Sequence, residues 1–133
     1  MKWLLGLLIF LVPAHARDLG QWEMSTPDMR AYYQSLMQPD WPTASCCGES
    51  DAYYADQVEP CRLVDGPNCA LVAVITDTRD DAPRGRRHVP PGTKIAVPHN
   101  KVRKFPVPNP TNHNIIFLSV DGRVYCWEPV VGI

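Results

Sequence analysis

The chain has 133 residues, 45% of them hydrophobic and 20% charged, with a formal net charge of −1, five Cys and fourteen Pro. That length suits one globular domain around one core. An ordinary apolar share with almost no net charge excludes a disordered tail, a collagen-like repeat and a nucleic-acid binder marked by overall charge.

Met1 to Ala16 reads as a signal peptide. Lys2 supplies the positive start, Leu4 to Val12 an apolar run broken only by Gly6, and Ala14-His15-Ala16 the small-residue cleavage site. A run of about nine apolar residues is far short of the roughly 20 that span a bilayer. Removal leaves residues 17–133 as a single domain with no later run long enough to cross a membrane, so an exported chain, periplasmic or extracellular, is expected.

Thr26-Pro27-Asp28 opens a helix, with a hydroxyl cap, Pro in the first turn and an acid beside it. Met29, Tyr32, Tyr33, Leu36 and Met37 follow at helical spacing until Pro39 stops the pattern, and this stripe is read as a core-packing face. Residues 38–51 read as irregular from their Pro and Gly content. The period then becomes two: residues 57–64 and 69–76 form a hairpin, the apolar run from Ala70 to Ile75 marking a strand buried on both faces. Residues 77–87 are a charged loop and 94–97 a short strand. Residues 114–120 and 123–127 pair across Asp121-Gly122. The sum is a mainly β (α+β) domain: a small, curved antiparallel sheet or partly open barrel, one N-terminal helix against it, stapled by disulfides.

The five Cys stand at 46, 47, 61, 69 and 126. Cys61 and Cys69 flank the turn chemistry of Asp65-Gly66-Pro67-Asn68 and are the best candidate pair. Cys126 is expected to join Cys46 or Cys47, the spacing leaving the choice open, and the other thiol is left over unless the adjacent pair forms a strained vicinal disulfide or the protein dimerises through it. That thiol reads either as a small buried residue or as a reactive or metal-binding group.

Charge is unevenly spread. Residues 79–104 hold eight bases and two acids, whereas 17–66 hold nine acids and three bases. Arg84, Arg86, Arg87, Lys101, Arg103 and Lys104 are therefore candidate anion-binding residues, for an anionic envelope polymer or another exported protein. Folding of the two halves onto each other explains the asymmetry equally well, and no aromatic residue interleaves with these bases to make a stacking platform. Cys46, Cys47, His113 and Asp51 form a second candidate set, for copper or thiol-dependent chemistry, since soft cations favour thiolate with imidazole. No zinc-type spacing, nucleophile elbow or phosphate loop accompanies them. No cofactor is otherwise expected, and no residue is nominated as catalytic.

The segments Ser45-Cys46-Cys47-Gly48-Glu49-Ser50-Asp51-Ala52-Tyr53-Tyr54-Ala55-Asp56, Asn109-Pro110-Thr111-Asn112-His113-Asn114-Ile115-Ile116-Phe117 and Val124-Tyr125-Cys126 resemble a group of small exported bacterial proteins. That group shares SCCGExDAYxAD, GNPTGHGIIF and a terminal VYC, and the likeness covers most of residues 30–133. The resemblance implies secretion and a common fold, and it supplies no activity, cofactor or catalytic residue. Asn112 and Asn114 stand where that pattern has Gly, and both residue types fill left-handed turns. Cys61 and Cys69 look like additions to the pattern, which supports their pairing and leaves Cys46, Cys47 and Cys126 as the shared set. The leading expectation is an exported, non-enzymatic binding or envelope-associated domain with basic loops at 79–87 and 101–104.

Overall fold

A computed structural model describes residues 26–105 and 107–130. The signal-peptide reading of residues 1–16 lies outside the described residues.

Helix α1 (Pro27–Ser35) begins where the sequence places it: the Thr26 hydroxyl accepts the Met29 N–H at 3.3 Å, which satisfies one of the donors a helix start leaves free. Its stripe buries Tyr32, Tyr33 and Leu36 and half-buries Met29. Met37 departs from the expected stripe because the helix has ended and the residue is already in a strand. Residues 38–51 are more ordered than their composition suggests. β1 (Met37–Gln38) and β2 (Trp41–Ser45) make a tight antiparallel ribbon, with a turn at Pro39-Asp40 between them.

β3 (Ala52–Tyr54), β7 (Ile115–Leu118) and β8 (Val124–Glu128) form one three-stranded antiparallel sheet, and β4 (Gln57–Glu59), β5 (Cys69–Val74) and β6 (Lys94–Pro98) form another. Among the described residues the fold is thus mainly β with one α-helix, the β structure being divided among three small sheets with no closed barrel. Both expected hairpins are present. Residues 72–75 are all buried, as the apolar run requires. The arm expected over 57–64 stops at Glu59, because Pro60 has no N–H to donate and Leu63–Asp65 winds into a 3₁₀ turn braced by Arg62 on Asp65.

Alternation along β7 explains the layering. Ile115 and Phe117 pack with Tyr32, Tyr33, Leu36, Ala52 and Cys126 under the helix. Ile116 and Leu118 point the other way and join Tyr53, Ala73, Ile75, Val97 and Trp127, a cluster shared with the β4–β5–β6 sheet. The β3–β7–β8 sheet is therefore the middle layer, buried on both faces. Cys46 is bonded to Cys126 and Cys61 to Cys69, across sequence separations of 80 and 8. Among the described residues no helix is long and apolar enough to cross a membrane.

Candidate functional site

The candidate residues separate into four places. The first is the cysteine cluster. Cys46 is half of a disulfide, so it has no thiolate to offer, and Cys47 is the free thiol. Cys47 is fully buried, with its N–H held by the Ser45 hydroxyl at 2.9 Å and its backbone at φ +92°. Burial, and after it the nearby Asp51 charge, push the thiol well above its usual range. It is therefore protonated and inaccessible at neutral pH, the opposite of an activated nucleophile. His113 has other partners, Asp56 and Tyr54. Among the described residues no group of three His, Cys, Asp or Glu is placed to hold a metal ion.

Asp51 is pushed up to about 6 by burial, which outweighs hydrogen bonds from Ser50 and the Gly48 backbone. A carboxyl raised in the folded state favours the protonated form, so the charged side chain lowers stability above pH 6 and that cost disappears as pH falls toward the unfolded value near 4. Asp51→Asn is accordingly expected to raise the thermal midpoint at pH 7.5 and to have no such effect at pH 4. A midpoint lowered equally at both pH values would refute the assignment.

The second place is the turn at 109–114. His113 Nδ1 lies 2.5 Å from Asp56 Oδ2, and its ring stacks on Tyr54 at 4.0 Å with 9° between planes. The Arg79 guanidinium stands 3.6 Å from the centre of the Tyr54 ring. Asn112 takes the left-handed conformation at φ +58°, as its Gly-like place suggests. Asn114 does not: its N–H donates to Asp56 and its side-chain oxygen accepts the Val130 N–H at 2.7 Å. These bonds tie the turn to the residue before β4 and to the chain just after β8, and His113 serves as a cap within it.

The third place is the 77–88 loop, which holds the nominated bases Arg84, Arg86 and Arg87. Arg86 is not on the surface. Its side chain is 1% exposed and bridges Asp77 and Asp81 at 2.8 and 2.7 Å, while Nη1 also reaches the Ala52 carbonyl. Arg79 forks onto Asp77, and Arg84 donates to the Asp80 carbonyl. Arg87 is exposed beside Gly122, with no ion pair among the described residues. Local acids thus absorb most of this loop's charge.

The fourth place is a groove of about 680 Å³ between the β1–β2 ribbon and residues 99–105. Two of the nominated bases build it by cross-bracing its walls. Lys101 reaches Asp40 at 2.9 Å and Gln38 at 3.3 Å, and Arg103 donates to the Met37 carbonyl at 2.6 Å. Arg103 also pairs with Glu128, a fully buried carboxylate on β8 that accepts the Val107 N–H. Burial raises the Glu128 carboxyl, with Arg103 and the Val107 N–H opposing. The groove lining is largely apolar, from Met37, Pro39, Pro42, Val102 and Phe105. Lys104 stands exposed in the same lining with no ion pair among the described residues.

Phe105, Met37 and Glu128 were not among the sequence candidates. The nearest signal was Arg103-Lys104-Phe105: the first aromatic residue lies one position past the basic stretch, where it is 86% exposed. Comparison with known proteins brings no further assignment, since no family model, curated protein or solved structure matches the chain.

Proposed function

We propose that the chain is an exported, non-enzymatic binding domain whose contact surface is the groove between the β1–β2 ribbon and residues 99–105. Its occupant is a polypeptide segment carrying an apolar side chain next to a carboxylate. The observation that carries this reading is Phe105: a large aromatic side chain left in solvent, beside Lys104, which has no ion pair among the described residues, on a groove whose walls are held by Lys101 and Arg103. Preformed concave sites lined by apolar groups with a few placed polar groups are the usual form of binding sites. Two disulfides and the signal-like first 16 residues support export.

An anionic polymer is the weaker occupant. It needs a row of free cations, and Arg79, Arg86, Lys101 and Arg103 are already spent on internal carboxylates. The probe is a fluorescent hexapeptide with one Phe or Leu between acidic residues, followed by anisotropy at low and high salt. Binding is expected to weaken about tenfold in Lys104→Glu, to be lost in Phe105→Asp, and to fall with salt. Heparin binding that outlasts both substitutions, with no peptide binding, rejects the proposal.

A further inference from the structure

Glu128 on β8 is fully buried, yet its carboxylate is poorly served for a charge held away from water. Oε1 accepts the Val107 N–H at 3.1 Å, and Oε2 faces Arg103 Nε as a close ion pair that is not aligned as a hydrogen bond. A carboxylate has sites for about four hydrogen bonds, so a proton costs this one little. Burial outweighs the opposing Arg103 charge and holds the carboxyl above its ordinary value. From α1, the Tyr32 hydroxyl is also buried without a hydrogen-bond partner among the described residues, and the Glu128 charge adds to burial in raising it. The groups facing Glu128 are thus Arg103 from the 99–105 wall, the Val107 N–H beyond it, and Tyr32 of the helix, with the Tyr33 ring beside Tyr32.

Arg103 couples this carboxyl to the groove. Its backbone is fixed on β8, where the N–H donates to the Trp127 carbonyl at 3.1 Å and Val102 bridges Trp127. From the guanidinium that faces Glu128, Nη1 donates to the Met37 carbonyl of β1 at 2.6 Å. The β1–β2 ribbon has a firm base: the Cys46 N–H donates to the Leu36 carbonyl at 2.9 Å, and Cys46 is bonded to Cys126 on β8. Across the groove its polar bonds, among the described residues, come from Lys101 and Arg103. The ribbon is therefore a strap with an anchored base, and one of its two cross-braces is oriented by a buried titratable group.

We propose that Glu128 gates the groove: on taking a proton from solvent it releases Arg103, the brace to the Met37 carbonyl is lost, and the ribbon tilts about its disulfide-anchored base and lets its occupant go. This rests on the groove reading above and adds its regulation. The Arg103 side chain is 13% exposed, so water is at hand for the guanidinium once the opposing charge is gone. A carboxyl raised in the folded state favours its protonated form, so acid populates the open ribbon and neutral pH the braced one. Apparent affinity falls with the fraction of braced molecules.

The test has two readouts at pH 7.5 and pH 5, with thermal midpoints as the folding control. Anisotropy of the acidic hexapeptide reports binding, and its own carboxylates stay largely ionised over this range. Hydrogen exchange of the amides in residues 37–45 without peptide, corrected for the intrinsic rate at each pH, reports the ribbon. In the wild type, affinity and ribbon protection are each expected to fall about fivefold or more on acidification, while residues 69–74 of β5 keep their protection. Glu128→Gln, which cannot ionise, should show the acid level at both pH values. His99→Gln and Asp40→Asn remove the acid-titrating side chains of the lining itself and should keep the acid response. A ribbon whose protection falls less than this, affinity that stays level while the ribbon opens, or an acid response that Glu128→Gln retains overturns the gate. Ribbon exchange in the wild type needs neither peptide nor variant, so the two readings fail separately. A ribbon that opens in acid with no peptide bound at either pH sinks the groove reading, and peptide bound equally at both pH values over an unchanged ribbon sinks only the gate.

Discussion

Arg86→Ala is expected to be among the most destabilising single substitutions in this protein, at about 3–5 kcal/mol. The cost comes from what is left behind. Asp77 is buried, and its carboxylate accepts from Arg86 Nη1 at 2.8 Å, from Arg79 Nη2 at 2.7 Å and from the Tyr54 N–H at 3.0 Å. Burial alone would raise the Asp77 carboxyl, but the hydrogen bonds from Arg79, Arg86 and the Tyr54 backbone outweigh it and hold the group well below the usual carboxylate range. Truncating Arg86 also strands the Ala52 and Arg79 carbonyls it serves. Against a total stability of about 5–15 kcal/mol, such a loss leaves the domain marginal.

The sign of the pH dependence follows. A carboxylate whose folded pKa is depressed contributes stability above its unfolded value near 4 and loses that contribution as pH falls through the folded value. Urea midpoints of the wild type and Arg86→Ala should therefore differ most at neutral pH and converge in strong acid. Arg84→Ala removes a half-buried side chain that donates to the Asp80 carbonyl and should cost about 1 kcal/mol, well below the loss at Arg86. Equal effects of the two substitutions would show that Arg86 is a surface residue.

Replacing both Cys46 and Cys126 by Ala should cost about 4.5 kcal/mol in the chain-entropy model, whereas replacing Cys61 and Cys69 should cost about 2.6. The difference arises in the unfolded chain, because the first bridge spans a sequence separation of 80 and the second only 8. Ala is the appropriate replacement, since both sulfurs of the long bridge lie in the core with Tyr33 and Phe117, and a Ser hydroxyl there would be buried. The double variant matters too: Cys46→Ala alone frees Cys126 to pair with Cys47. Denaturant midpoints of the two double variants give the comparison. A short-loop variant that is the less stable of the two would contradict this ranking, and an alkylation count of one on the denatured, unreduced wild type would confirm Cys47 as the lone thiol.

Local chemistry was legible from the residues themselves. The Thr26 cap and its apolar stripe, the Asp121-Gly122 turn with Gly122 at φ +87°, the buried run 72–75 and the Cys61–Cys69 bridge each depend on neighbours within about ten positions. Periodicity and turn residues carry that information directly. β3 was not legible, because three residues are too few to display a period and their partner strand lies some sixty positions away. Nor was the β1–β2 ribbon, whose Pro-rich composition reads as irregular.

Tertiary structure alone decided the remainder. Cys46 was selected over Cys47 by the backbone: the Cys46 N–H is held by the Leu36 carbonyl, and the next residue turns to positive φ, which leaves its thiol buried away from Cys126. A basic residue carries the same charge in a sequence whether it ends in solvent or on a buried acid, so composition could not tell Arg86 from Lys104. Long-range pairing made that distinction by bringing Asp40 to Lys101 and Glu128 to Arg103, and so turned two candidate anion ligands into the braces of a groove. The sequence by itself determined the helix, the hairpins, the short disulfide and the uneven spread of charge, with bases concentrated in residues 79–104. Which bases stay free, which cysteine stays reduced and where a concave surface opens depend on contacts between segments far apart in the chain, and only the folded arrangement contains them.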